Sequence, residues 1–126
     1  MPEYRNHSIV DAFRCAVRGV MRTFAGQRNL RVQVGIGALV VLLGLLLGLG
    51  ATEWAILALC ISGVLVAELV NTAVEATVDL VSPHYSELAR VAKDAAAGAA
   101  LVAAASSVVV GLLIFIPRLL RLAGRL

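Results

Sequence analysis

The chain has 126 residues, 60% of them hydrophobic and 15% charged, with a net charge of +3 and a mean hydropathy of +0.92. Soluble domains run about 45–50% apolar and about 25% charged, so this composition leaves too little polar surface to cover a water-soluble globule. The length fits a single domain, residues 1–126, and excludes a multi-domain enzyme or transporter within one chain.

The first predicted element is a helix at about residues 8–28. At about 100° per residue, Ile9, Val10, Phe13, Val17, Val20, Met21 and Phe24 share one face, while Arg14, Arg18 and Arg22 take the other. Such a helix lies in a membrane interface, with its apolar face down and its arginines toward headgroups. A soluble amphipathic helix gives the same pattern, but there is no soluble core here for it to cover. Anionic phospholipid headgroups therefore explain the sequence pI of about 9.4 better than nucleic acid does. No cleavable signal peptide is expected, because no early apolar core precedes a small-residue cleavage site.

Three stretches reach the roughly 20 apolar residues that a spanning helix needs: residues 32–50, 54–78 and 95–116. The joint between the first two, Ala51-Thr52-Glu53, implies a tight antiparallel hairpin, with Trp54 as an interface anchor. Between the second and third, residues 79–94 form a polar segment in which Ser82 reads as an N-cap and Pro83 as the first helical residue. Pro117 and Arg118 read as the end of the third span. Gly44 and Gly48 form a Gly-x-x-x-Gly pattern that suits a close helix contact. The alanine-rich start of the third span has the same purpose. The expected fold class is an all-α membrane protein, with three transmembrane helices and an N-terminal interfacial helix. Six arginines before residue 32 place the N-terminus in the cytoplasm, although Arg118, Arg121 and Arg125 at the opposite end conflict with that count. Cys15 and Cys60 have neither metal-ligand spacing nor a disulfide context and read as small apolar residues.

The chemistry concentrates on the second span. Glu68, Asn71, Glu75 and Asp79 fall within an arc of about 80° at the helical repeat, forming one acidic stripe that runs from within the bilayer to its edge. An ionised side chain at mid-bilayer costs roughly 2.5–3.5 kcal/mol on insertion scales. A purely structural span has no need of that cost, although an inter-helix hydrogen-bond network is the plain alternative. Arg90, Lys93 and Asp94 precede the third span, and Lys93 is the only lysine. Snorkelling to the surface would account for its position equally well. Together, stripe and lysine offer what phosphoryl transfer needs: carboxylates for a metal, a base, and a cation for the transferred group. No Gly-x-x-x-x-Gly-Lys-Ser/Thr loop is present, which excludes a P-loop kinase.

The run Glu68-Leu69-Val70-Asn71-Thr72-Ala73-Val74-Glu75-Ala76-Thr77-Val78-Asp79, followed by Leu88-Ala89-Arg90-Val91-Ala92-Lys93-Asp94, resembles the small prokaryotic diacylglycerol kinase family over about residues 10–118. Arg28-Asn29-Leu30-Arg31 and the segment ending Ile116-Pro117-Arg118 resemble its undecaprenol-specific branch, though that branch often carries a histidine where Gln33 stands. The resemblance implies a homotrimer with active sites shared between protomers. It also implies ATP as co-substrate, Mg2+, and a membrane lipid alcohol as acceptor, in a bacterial cytoplasmic membrane. Position by position, it implies Glu68 as general base and Asn71 as the residue orienting base and metal. Glu75 corresponds to a magnesium ligand and Lys93 to the contact with the ATP phosphates, with Asp79, Asp94 and Arg90 at the nucleotide end. The family usually has a second metal-binding glutamate where this chain has Gln27. A naturally weaker metal site, a substituting acid nearby and an engineered loss of charge all account for that difference. His84 and Tyr85 are candidates to stack on adenine. A small oligomeric proton or cation carrier using the intramembrane glutamates is the competing function, and a non-catalytic assembly subunit is the third.

Overall fold

A computed structural model describes residues 8–124. Arg5 and Arg125, both counted in the charge argument, lie outside the described residues. The chain forms four helices: α1 (Ile9–Gly26), α2 (Arg28–Leu46), α3 (Ala51–Val81) and α4 (Glu87–Ala123). The last three are each long and apolar enough to cross a membrane. At 1.5 Å per residue they are about 28, 46 and 55 Å long, against a hydrocarbon core of about 30 Å, so α3 and α4 extend beyond it. The chain exposes 9359 Å², whereas a compact soluble monomer of this mass exposes about 6400 Å². The excess is apolar, as a bilayer-embedded chain requires: Leu39, Leu45, Leu59, Leu101 and Leu113 all face outward. The protein is an all-α, multi-pass membrane protein, as its composition indicates.

α1 begins at Ser8, whose hydroxyl accepts the Asp11 N–H at 3.1 Å. It buries no residue, and Phe13, Met21 and Ile9 on its apolar face stay more than 60% exposed. No protein covers that face among the described residues. The helix is shorter than expected, because Gln27 adopts an extended conformation (φ −107°, ψ 116°) and caps both α1 and α2. Arg31 reaches back across this joint and donates to the carbonyls of Phe24 and Ala25, at 3.2 and 2.7 Å. It thereby satisfies acceptors that the end of α1 leaves open.

α3 is the central element, packing along α4 and, over a shorter length, against α2. The backbones of α2 and α4 do not pack on each other. Leu49, Leu57 and Phe115 form the core, with Val40, Leu43 and Trp54 against it. Gly44 fulfils the close-contact expectation, since a Cβ there would stand 2.8 Å from the Trp54 ring. Gly48 does not. It lies past the end of α2 with φ +61°, a conformation glycine adopts without steric cost. The small-residue start of α4 also packs as expected, with Ala100 buried, although a Cβ on Gly98 would meet open space.

Three sequence boundaries are corrected. The hairpin turn is formed by residues 47–50, not 51–53. Glu53 belongs to the first turn of α3 and accepts the Gly50 N–H at 2.8 Å, which caps the helix start. Ser82 and Pro83 end a helix instead of starting one. The residue before proline avoids the helical conformation, so Ser82 becomes the C-cap of α3, and α4 starts at Ser86, whose hydroxyl accepts the Ala89 N–H. Arg90, Lys93 and Asp94 therefore lie on the third spanning helix itself. Finally, Pro117 does not terminate α4, which continues to Ala123. Proline removes one N–H but is tolerated in spanning helices whose surroundings hold the chain in place. Here Arg118 supplies that anchor. It donates Nε and Nη2 to the two Glu53 oxygens and Nη1 to the carbonyls of Leu47 and Gly48 at 3.0 and 2.9 Å.

Candidate active site

The inward face of α3 changes character along its length. Its buried residues are Leu57, Val64, Glu68 and Asn71, which share an arc of about 60° at the helical repeat. The stripe that packs the core at one end thus becomes a carboxylate and an amide at the other. Glu68 is 8% exposed and Asn71 9%, so neither points into the lipid surroundings. The Asn71 amide donates to Glu75 Oε1 at 3.4 Å, while its own Oδ1 is buried with no hydrogen-bond partner. Buried polar atoms are overwhelmingly satisfied in folded proteins, so this oxygen marks a position where a donor or a cation belongs. The Glu68 carboxylate accepts no hydrogen bond within the chain among the described residues.

At the shallow end of the stripe, Lys93 Nζ lies 2.7 Å from Asp79 Oδ1. This ion pair bridges the start of α4 and the end of α3. Arg90 pairs with Glu87 and, at 3.5 Å, with Asp94, and the Tyr85 hydroxyl donates to Glu87 at 2.7 Å. The structure therefore gathers Asn71 with Glu75, Lys93 with Asp79, and Arg90 with Asp94. Glu68 lies about 16 Å along the helix axis from Asp79, and Glu75 about 6 Å. Gln27, half-buried at the α1–α2 joint, makes no cap hydrogen bond with its side chain, and among the described residues no hydrogen bond joins that side chain to the stripe.

Among the described residues, no three His, Cys, Asp or Glu side chains converge as a metal cage. Magnesium does not require one, because it is commonly held by one or two carboxylates together with water and substrate phosphates. Glu75 beside the unsatisfied Asn71 oxygen fits that donor set. An apolar groove of about 490 Å³ also runs between α2 and α4 over α3, from Leu119 and Phe115 to Gln33 and Val64, one turn short of Glu68. Sequence reasoning missed this groove and the Arg118 anchor, because both depend on contacts between residues far apart in the chain.

A buried acidic stripe in a three-span helical protein, closed at its shallow end by a lysine, defines a membrane-embedded site for polar chemistry. Residues 14–115 match the prokaryotic diacylglycerol kinase family, and the chain belongs to it, a family of lipid kinases. It is 44% identical over 108 residues to an undecaprenol kinase from Bacillus subtilis, covering 86% of this chain and 88% of that protein. It is also 46% identical over 116 residues to a diacylglycerol kinase from a Synechocystis species, covering 91% of this chain and 66% of that one.

Proposed function

We propose that the protein transfers the γ-phosphoryl group of ATP, with Mg2+, to the hydroxyl of a membrane lipid alcohol, undecaprenol in preference to diacylglycerol. The observation that carries this reading is the buried Glu68–Asn71 pair on the inward face of α3, with an oxygen left unsatisfied. The acceptor's hydrocarbon chain lies along the apolar groove, whose end at Val64 brings its hydroxyl toward Glu68. Glu68 takes the hydroxyl proton as the oxygen attacks the γ-phosphorus. The bond to the β–γ bridging oxygen breaks and ADP leaves, after which the proton returns to water. Asn71 holds the Glu75 carboxylate in place through its amide. Glu75, the Asn71 oxygen and Gln27 are the residues that would hold magnesium, which when bound neutralises charge on the phosphates. Lys93, Asp79, Arg90 and Asp94 line the nucleotide end, where Lys93 exchanges Asp79 for phosphate oxygens. The protein assembles as a homotrimer with sites shared between neighbouring copies, since three spans alone cannot enclose both a nucleotide and a lipid.

The protein acts in a bacterial cytoplasmic membrane with its N-terminus in the cytoplasm. Six arginines before residue 32 outnumber the three at the C-terminal end, which supports that orientation. Purified protein incubated with labelled ATP and each candidate lipid, separated by thin-layer chromatography, tests the reading. Label in undecaprenyl phosphate above that in phosphatidate, compared in the same detergent, is the expected result. No labelled lipid with any acceptor would leave a cation carrier or an assembly subunit in its place.

A further inference from the structure

At the end of the bundle opposite Lys93, where α2 terminates beside the last turns of α4, a pocket of about 240 Å³ is lined by Leu46, Leu47, Arg118, Arg121 and Leu122. The two arginines differ in what they have left to bind. Arg118 is committed to Glu53 and to the carbonyls of the 47–50 turn, and forms a fixed wall. Arg121 donates only its Nε, to the Pro117 carbonyl at 3.2 Å, and among the described residues no carboxylate lies within ion-pair distance of it. The rest of its planar fork therefore points to an anionic acceptor from outside the chain, and that fork matches phosphate oxygens in geometry and charge. With one carboxylate against two guanidinium groups, the pocket keeps a net positive charge. The remaining lining is leucine, so the ligand is part anion and part hydrocarbon. This end of α2 is also where its apolar run stops, at the edge of the bilayer. The arginine wall lies beyond the segment matched to the kinase family, which ends at residue 115.

We infer that this pocket binds the phosphate headgroup of an anionic phospholipid in the bilayer leaflet opposite the acidic stripe, with the leucines against its acyl chains. The inference is independent of the reaction proposed above.

Trp54, the only tryptophan, packs against the same core cluster as Leu47, which lines the pocket, and serves as the reporter. The full-length protein is reconstituted in phosphatidylcholine vesicles containing a small fraction of either brominated phosphatidylglycerol or brominated phosphatidylcholine, and quenching of Trp54 is compared. Preference for the anionic lipid by about fivefold is expected, the ratio for one unpaired cation at a lipid surface. It should fall to near unity in Arg121→Gln, an exposed site that leaves the Arg118 anchor in place. Arg18→Gln, on the polar face of α1, should leave the ratio unchanged. Equal quenching by both lipids in the parent protein, or an unchanged ratio in Arg121→Gln, overturns the inference. Loss of the preference on adding inorganic phosphate to the level of the lipid would assign the pocket to a free anion and overturn it as well.

Discussion

Replacing Glu68 by glutamine tests the proposed chemistry most directly. The change is nearly isosteric and puts a neutral amide at a position that is 8% exposed and makes no side-chain hydrogen bond within the chain, so packing on α4 should survive. The substitution removes the ability to accept the hydroxyl proton. General-base assistance contributes typically 10²–10⁴-fold, so the turnover number should fall by that factor, or about 2.7–5.4 kcal/mol in barrier. Glu68→Asp keeps the base but draws it back by one methylene, and a displacement of about 1 Å can cost on the order of 10²-fold. Aspartate should therefore be impaired, with a KM for ATP close to that of the parent, because on the proposed reading Glu68 contacts the acceptor hydroxyl and the nucleotide is held by other residues. Turnover measured by label transfer, with size-exclusion chromatography to confirm assembly, separates the outcomes. Glutamine retaining more than about a tenth of parent turnover would refute the base assignment, since even the weakest general-base contribution exceeds that.

Lys93→Met should reduce kcat/KM for ATP by about 10- to 100-fold, the loss of one charge-assisted contact to phosphate. Its thermal stability should change little, because an exposed ion pair such as Lys93–Asp79 contributes little. Gln27→Glu should lower the magnesium concentration needed for half-maximal activity and raise turnover; an unchanged magnesium titration would exclude a ligand role for position 27. Gly44→Val drives a side chain into the Trp54 ring, which stands 2.8 Å from even a Cβ, and should cost roughly 1–3 kcal/mol as overpacking. Gly35→Ala meets open space and should stay within about 0.5 kcal/mol of the parent. Equilibrium unfolding in detergent, followed by Trp54 fluorescence, reads both.

The spans were legible because apolar length is a property of the sequence itself, and so was the stripe, because α-helical geometry fixes which residues share a face. That Glu68 and Asn71 face inward was legible only in part. Their spacing from Leu57 and Val64 shows they share a face, but the presence of α4 makes that face interior. What the sequence concealed was long-range. Pro117 reads as a terminator until Arg118 is seen bound to Glu53 and to Leu47, 65 and 71 residues away. Ser82-Pro83 and Ser86-Glu87 are both plausible helix starts on local grounds, and the continuation of α3 to Val81 decides between them. The Lys93–Asp79 pair was legible as chemistry, two opposite charges near one bilayer edge, but not as a direct contact.

The one-residue joint at Gln27 has a consequence for where the reaction happens. α1 and α2 meet with no slack between them, and Arg31 bolts the corner through the carbonyls of Phe24 and Ala25. On the proposed reading, with α1 at the headgroup plane, this joint is a depth gauge that sets the height at which α2, and through it the acidic face of α3, hangs in the hydrocarbon. Bilayers of different thickness would then be accommodated at the far end, where the tail of α4 overshoots, while the proposed catalytic level would keep its distance from the headgroups on the α1 side.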